Sequence, residues 1–411
     1  YSSNVTVRAV DAAGNVETAS RTINVDTEVK PFARSTLSTG SDTTVNATEA
    51  ANGLTVTGNV EPGSSVVVKF GNGTSHDATV SANGSWTLKI PSTDIPAGEN
   101  SVKLTAVATD RYGNTSTITE QVAVDTVVSQ NIRTGGAIAG DGIVNASEAA
   151  QGMTFNGTAE AGSAMVIRLS NGKEMLTTSG ADGSWSVHFA SADIPRGNVN
   201  ASVTIQATDL AGNVDKITDD FVIDTVAPDA PEVTGVNKST SGTLRGIYTE
   251  ESADSYAFHE VKANGATATV GESHSNSAGE TEFSFTRGVP DGSYLVVNTQ
   301  DAAHNESSTL LIVNNTNAPV VDLSRFDLSA IDLTVAPQAH LSSTESQLRA
   351  ITGPDHSLII KGGADDTVSL IGGIDTGTAK VINGHSYSLY TLGTGASVLV
   401  DDDILTSTQL V

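Results

Sequence analysis

Short runs of alternating apolar and polar residues, set between Gly, Asn and Asp, recur along most of this chain. Leu54-Thr-Val-Thr57, Ser65-Val-Val-Val-Lys69 and Ser101-Val-Lys-Leu-Thr-Ala-Val-Ala108 are answered one repeat later by similar runs. These are Met153-Thr-Phe-Asn156, Met165-Val-Ile-Arg-Leu169 and Ala201-Ser-Val-Thr-Ile-Gln-Ala207. A period of two points successive side chains to opposite faces, so each run predicts an antiparallel strand with one face in a core. Stretches with a helical period of 3.6 are missing. The exception is Ser342-Ser-Thr-Glu345 ahead of Leu348 and Ile351, which predicts one short helix opened by a capping box. Asn383-Gly384 between two strand-like runs predicts a tight hairpin.

About seven strands per repeat predict immunoglobulin-like β-sandwiches, and the chain as a whole reads as all-β. The expected organisation is a tandem, elongated array. Residues 1–26 hold the last strands of a truncated domain, 27–125 and 126–224 are full repeats, and 225–316 form a divergent one. Residues 317–411 are expected as a separate β-rich module. No Gly/Ser spacer separates the repeats, so short joints force neighbouring domains into contact.

Acidic residues obey the same spacing. Asp11-Ala-Ala-Gly-Asn15, Asp110-Arg-Tyr-Gly-Asn114 and Asp209-Leu-Ala-Gly-Asn213 are 99 residues apart, and Asp301-Ala-Ala-His-Asn305 is a degenerate fourth copy. A second aspartate follows each of the first three: Asp26, Asp125 and Asp224. Trp86 and Trp185 share the period, as do Asp42 and Asp141, and Glu49 and Glu148. Of 411 residues, 47 are acidic and 21 basic, for a net charge of −26. That balance argues against nucleic acid or an anionic membrane as partner, since both need a basic face. It suits an extracellular surface, and it suits calcium. The chain has no cysteine, which excludes disulfides and thiolate metal sites. No apolar run approaches the roughly 20 residues of a membrane span.

Calcium takes about six to eight oxygen ligands, so a site needs several carboxylates, amides and carbonyls to converge. The loop Asp-x-x-Gly-Asn joins the last two strands of a repeat, and the second aspartate closes the final strand. One expected cation ties Asp11 and Asp26 to Asp42 of the next repeat; another ties Asp110 and Asp125 to Asp141. Asp209 and Asp224 form a third pair, without a matching loop beyond it. Asn15, Asn114, Asn213, Glu49 and Glu148 are further candidate ligands. Each has a structural alternative. Asp-x-x-Gly-Asn is also a sound turn, with glycine at φ > 0. Asn46 with Glu49, and Asn145 with Glu148, fit a helix N-cap and its third-position partner. Trp86 and Trp185 are expected in the core rather than stacked on sugar. His304 for glycine, and Asn315 near the place of a closing aspartate, are expected to weaken any site in the last repeat.

Catalysis finds little support. The histidines are scattered, His259-Glu-Val-Lys262 is not a paired-histidine zinc helix, and no Gly-x-Ser-x-Gly elbow occurs. Gly362-Gly-Ala-Asp-Asp366 and Gly372-Gly-Ile-Asp375 resemble nonapeptide calcium repeats, but two degenerate copies are too few to build a β-roll.

The motifs Asp-x-x-Gly-Asn, Val-Asp-Thr, Val-Asn-Ala-x-Glu-Ala-Ala and Gly-Ser-Trp with Asp-Ile-Pro (Asp94 to Pro96, Asp193 to Pro195) resemble bacterial immunoglobulin-like repeats. They look most like those of giant type I-secreted non-fimbrial adhesins of the SiiE/BapA kind. The resemblance covers residues 1–316, and the tail, with Ile382-Asn-Gly-His-Ser-Tyr-Ser-Leu-Tyr-Thr391, is similar to a module near the C-termini of such adhesins. It implies a secreted, non-enzymatic, monomeric segment of a bacterial surface protein. It also implies Ca2+ at the joint aspartates, export by type I secretion machinery, and host-cell surface glycans or biofilm matrix as the target. An accessory carbohydrate-binding region of a secreted carbohydrate-active enzyme is the alternative, with Tyr387, Tyr390 and Tyr294 as its candidate aromatics.

Overall fold

A computed structural model describes residues 1–40, 42–313, 323–353 and 357–409. Strands dominate, and the chain folds as tandem immunoglobulin-like β-sandwich domains. Two compact units divide it: residues 1–136 with 154–189 and 201–220, and residues 137–153 with 190–200 and 221–411.

In the first unit, Ser2–Val10 and Val16–Asn24 form an antiparallel hairpin exposed at every position. A complete sandwich follows. Its four-stranded sheet has the order Phe32–Leu37, Leu54–Val60, Ser85–Ile90, Thr79–Val80. The five-stranded sheet has the order Thr44–Val45, Thr115–Asp125, Glu99–Thr109, Ser65–Phe70, Ser75–Asp77. The alternation seen in sequence becomes burial: Leu54, Val56 and Val60 point inwards, as do Val66, Val68 and Phe70, and Val102, Leu104, Ala106 and Ala108. Trp86 is 2% exposed at the centre of this core. It lies against Gly58, where a Cβ would stand 2.5 Å from the indole and 2.2 Å from the Ala33 carbonyl oxygen. Only glycine leaves room for that ring. Gly157 and Trp185 repeat the pair 99 residues on, and both tryptophans are core residues.

The next repeat reproduces these elements at the same spacing. Met153–Ala159, Ala164–Leu169, Ser184–Phe189, Asn198–Thr208 and Val214–Asp224 each begin 99 residues after their counterparts. So do the short helices, Ala47–Asn52 and Ala146–Gln151. In both, the asparagine N-cap accepts from the third helical N–H, and the glutamate there accepts from the cap N–H. Both Glu49 and Glu148 are therefore capping residues.

The rest of the second unit departs from the expected plan. A four-stranded sheet (Val233–Lys238, Leu244–Glu250, Glu280–Val289, Glu272–Ser277) belongs to the divergent repeat alone. Its other sheet does not stop at the boundary expected near 316. Glu306–Ile312 pairs in parallel with Ala330–Asp332, which pairs with Ser357–Lys361 and that with Ala396–Asp401. His385–Leu392 and Gly373–Ile382 extend it to nine strands. A further parallel sheet stacks His340–Thr344, Thr367–Ile371 and Leu405–Gln409. Three parallel rungs are thus built where sequence counting allowed too few repeats. The Gly-Gly-Ala-Asp-Asp stretch turns one corner, with Asp366 accepting from the N–H groups of Gly363 and Ala339. The short helix is Glu345–Ile351, capped by Thr344 with Gln347. The turn at Asn383-Gly384 has φ of 50° and 84°, as a two-residue hairpin requires.

One buried cluster joins Val296, Leu310 and Ile312 of the divergent repeat to Leu328, Ile331, Ile360, Val368 and Val398 of the tail. A shared sheet and core make this a single cooperative structure. Scanning calorimetry is expected to show one transition for it. Ile360→Ala should lower its stability by about 2–5 kcal/mol, and a separate transition for the tail would contradict a common core.

Candidate metal centres at the repeat joints

All four Asp-x-x-x-Asn loops fold alike. The aspartate Oδ1 accepts from the N–H of the closing asparagine, and its Oδ2 accepts from that asparagine's Nδ2, at 2.7–3.0 Å. Gly212 takes φ +88°, and in the fourth loop His304 holds φ 67° in the same place. The missing glycine costs strain, but the turn survives.

Strand length then decides where each acid goes. Thr115–Asp125 has 11 residues, roughly 36 Å at about 3.3 Å per residue. Asp110 and Asp125, expected to share a cation, therefore stand at opposite ends of one sandwich. The same correction applies to Asp209 with Asp224, and to Asp11 with Asp26, which the strand Val16–Asn24 separates. Asp42 and Asp141 also leave the expected sites. Each is an exposed residue whose Oδ1 accepts from an N–H two residues on, that of Thr44 or Ile143.

Acids from successive sandwiches meet instead. Asp26 lies with Glu61 and Asp110, and Asp125 with Glu160 and Asp209; in each group one carboxylate oxygen per residue lies within 4.8 Å of the others. Oxygens around one Ca2+ at about 2.3–2.6 Å stand no more than about 5 Å apart, so both groups have the right dimensions. Their donors are all carboxylate oxygens, the hard ligands calcium prefers. Glu61 and Glu160 were missed in the sequence. They are 99 residues apart, and that period was the signal that would have found them.

Of the candidate asparagines, Asn213 has its amide oxygen engaged by a backbone N–H. Asn213 is 7% exposed. Its Nδ2 donates to the Asp125 carbonyl at 2.9 Å, and its Oδ1 accepts from Ala47 N–H at 2.8 Å. Asn305 is bound in the same way to the Asp224 carbonyl (2.9 Å) and Ala146 N–H (2.8 Å). The loop expected to be lacking at this third joint is therefore present: it is 141–148, from the preceding repeat. Asn15 and Asn114 bind their own loop aspartates. At the third joint Asn198 donates to Asp224 Oδ2 at 3.0 Å, in the place that Glu99 holds one repeat earlier. Asp224 and Asp301 border a 530 Å³ cavity with Glu250, Glu251 and Asp254. Among the described residues, however, three-carboxylate groups occur at the first two joints and not here. Asn315 lies outside the described residues.

Residues 42–125 match the bacterial Ig domain family, and residues 129–225 match the bacterial Ig-like domain family. Two of the sandwiches thus coincide with matches to bacterial Ig-type domain families. Comparison with curated proteins gave no match. Among solved structures, the chain is similar to a Ca2+-stabilised adhesin that helps an Antarctic bacterium bind ice, at 27% identity and TM-score 0.35. That likeness covers 75% of this chain and 80% of the other. It is also similar to part of a 1.5-MDa bacterial ice-binding adhesin, at 25% identity and TM-score 0.38, over 69% and 95% of the two chains. A tetra-tandem repeat from the extending region of a large adhesion protein is 20% identical, with TM-score 0.29 over 75% and 80%.

Between the two Ig-like domains the charges are unbalanced. Burial pushes the Asp125 carboxyl up, and the charges of Asp209 and Glu99 add to that, against the Val127 N–H that holds it down. Burial also raises Glu160, with Asp125, Asp209 and Glu99 acting in the same direction and the Ser129 N–H opposing. Every charge acting on either group is another carboxylate. A raised folded value means the folded state binds the proton more tightly than the unfolded chain. Metal-free protein should therefore gain stability from this joint as pH falls from neutrality through those raised values. The gain is complete only below the ordinary carboxylate range of about 4. Thermal melts in EGTA between neutral and mildly acidic pH check this, with a shallower rise expected for Glu160→Gln. In the fourth loop His304 already sits in the left-handed region, so His304→Gly should relieve about 1 kcal/mol of strain, whereas the β-branched His304→Val should destabilise further; urea melts compare them.

Proposed function

We propose that this chain is a segment of a secreted bacterial surface adhesin whose Ig-like domains are stiffened by Ca2+ at their joints. The observation that carries the reading is the pair of three-carboxylate groups, each assembled from two successive domains and repeated at successive joints. In both, Asp26 or Asp125 comes from the end of one domain, and the glutamate and loop aspartate come from the next. A cation there neutralises carboxylates that otherwise repel, and it links two domains through one set of ligands. Extracellular calcium modules bind with roughly 10⁻⁴–10⁻³ M affinity, so these joints would follow calcium outside the cell. Attachment to host-cell glycans or biofilm matrix, and export by a type I system, belong to the same reading. The composition supports it, with −26 net charge and no cysteine. No described helix is long and apolar enough to cross a membrane.

The carbohydrate-binding alternative loses its candidate aromatics. Tyr294 and Tyr387 are 4% and 2% exposed, and Tyr390 packs against the shared core.

Calorimetric titration of EGTA-treated protein with Ca2+ tests the metal. Binding in the range above would stabilise each occupied joint by about 1.4–2.7 kcal/mol at roughly 10 mM calcium. Asp125→Asn with Glu160→Gln should remove one class of site and leave the other. Absence of binding heat at millimolar calcium would refute the metal reading.

A further inference from the structure

We infer that the asparagine closing the Asp-x-x-x-Asn loop is a metal-independent latch, which sets the joint between successive domains before any cation binds. At the second joint four hydrogen bonds cross between sandwiches. Asn213 Nδ2 donates to the Asp125 carbonyl at 2.9 Å and to Asp125 Oδ1 at 3.3 Å. Asn213 Oδ1 accepts from Ala47 N–H at 2.8 Å, and Asn46 Nδ2 donates to the Ala211 carbonyl at 3.1 Å. The amide is buried and planar, with its acceptor on one side and its donors on the other. It is satisfied only when the strand end at Asp125 and the helix start at Ala47 are both in place.

The helix contributes a group that must find a partner. Ala47 is its first residue, whose N–H has no acceptor within the helix. The capping box satisfies other N–H groups and leaves this one to the next domain. The third joint repeats the arrangement: Asn305 bonds to the Asp224 carbonyl and to Ala146 N–H, the first residue of its own helix. There Asn198 replaces Glu99 and donates to Asp224, so the joint has the same latch where, among the described residues, no three-carboxylate group gathers. Asn213 reaches a neutral backbone group on each partner, and a chelator leaves those two bonds intact; its bonds to Asp125 Oδ1 and Asp209 Oδ2 share the carboxylates proposed for the cation. Swinging the domains apart would break all four at once and leave a buried amide to be rehydrated. The latch thus orients the domains, and the carboxylates gathered beside it are presented to the cation in a joint already formed.

The decisive variant is Ala47→Pro. Proline is favoured at the first helical position and lacks the N–H. The preceding residue, Asn46, is already extended at φ −86°, ψ 177°, as a residue before proline should be. The bond to Asn213 is removed without touching Asn213, Asp125 or any carboxylate. The chain has no cysteine, so Lys103→Cys and Lys216→Cys, both exposed, place spin labels on the two domains. Distance distributions are recorded by pulsed electron resonance on the full chain in EGTA. Unmodified joints should give one narrow distribution, and Ala47→Pro and Asn213→Ala should each lose it, while circular dichroism confirms folded sandwiches. A broad distribution for the unmodified joint in EGTA, or a narrow one for Ala47→Pro, overturns the latch. The calcium reading stands or falls separately, on binding heat.

Discussion

The last two strands of each repeat are long enough to run the full height of a sandwich. Their common loop therefore lies at one end, and the residue that closes the second strand lies at the other. Every feature of the joints follows from that constraint. Asp125 leaves its own domain and meets the loop of the next, where Asp209 and Asn213 wait. The helix beginning at Ala47 has also been carried to this far end, after the strand Phe32–Leu37 has crossed the sheet. Each joint is thus made from one domain's strand end and helix start, and from the next domain's loop. Such an interface is heterologous, joining unlike surfaces of successive domains.

Two interactions of opposite character share that interface. Carboxylates are brought together with only other carboxylates acting on Asp125 and Glu160, which disfavours the charged state and invites a cation. Beside them a neutral amide bonds to backbone groups from both partners. The first interaction makes the joint responsive, and the second gives it a geometry. The third joint differs, since Asn198 stands where the second has Glu99 and its aspartate accepts an amide hydrogen bond.

Beyond the third joint the architecture changes from repetition to fusion. The divergent repeat keeps its own four-stranded sheet and lends the other to the tail, whose parallel rungs continue it strand by strand. Glu260 is buried there, with Arg287 and Ser293 as partners. Glu232, just ahead of Val233–Lys238, reaches both Lys361 and Asn383 of the tail. Burial sets the charged Glu232 back, and the Asn383 and Lys361 contacts outweigh it, holding the carboxyl below its ordinary value. Polar contacts and a common core therefore bind the two segments together.

Much was legible in the sequence, because much of it is local. Alternation marked the strands, since one face of each is buried. The 99-residue period marked the two complete repeats, and Asn46 with Glu49 marked a helix start, since a capping box needs only residues three apart. The aspartate loops were legible as turns for the same reason. The period also held Glu61 and Glu160, which went unread because a lone glutamate after a strand carries no local signature. Tertiary structure alone decided which acids meet, because pairing Asp110 with Asp26 rather than Asp125 depends on how far a strand travels and which end the next domain occupies. It alone revealed that Asn213 and Asn305 are shared between domains, since a hydrogen bond spanning more than 150 residues leaves no trace in spacing. The fusion of the tail was hidden too. Parallel pairing joins strands distant in sequence, and whether a buried face is covered by its own domain or by the next is settled only by packing.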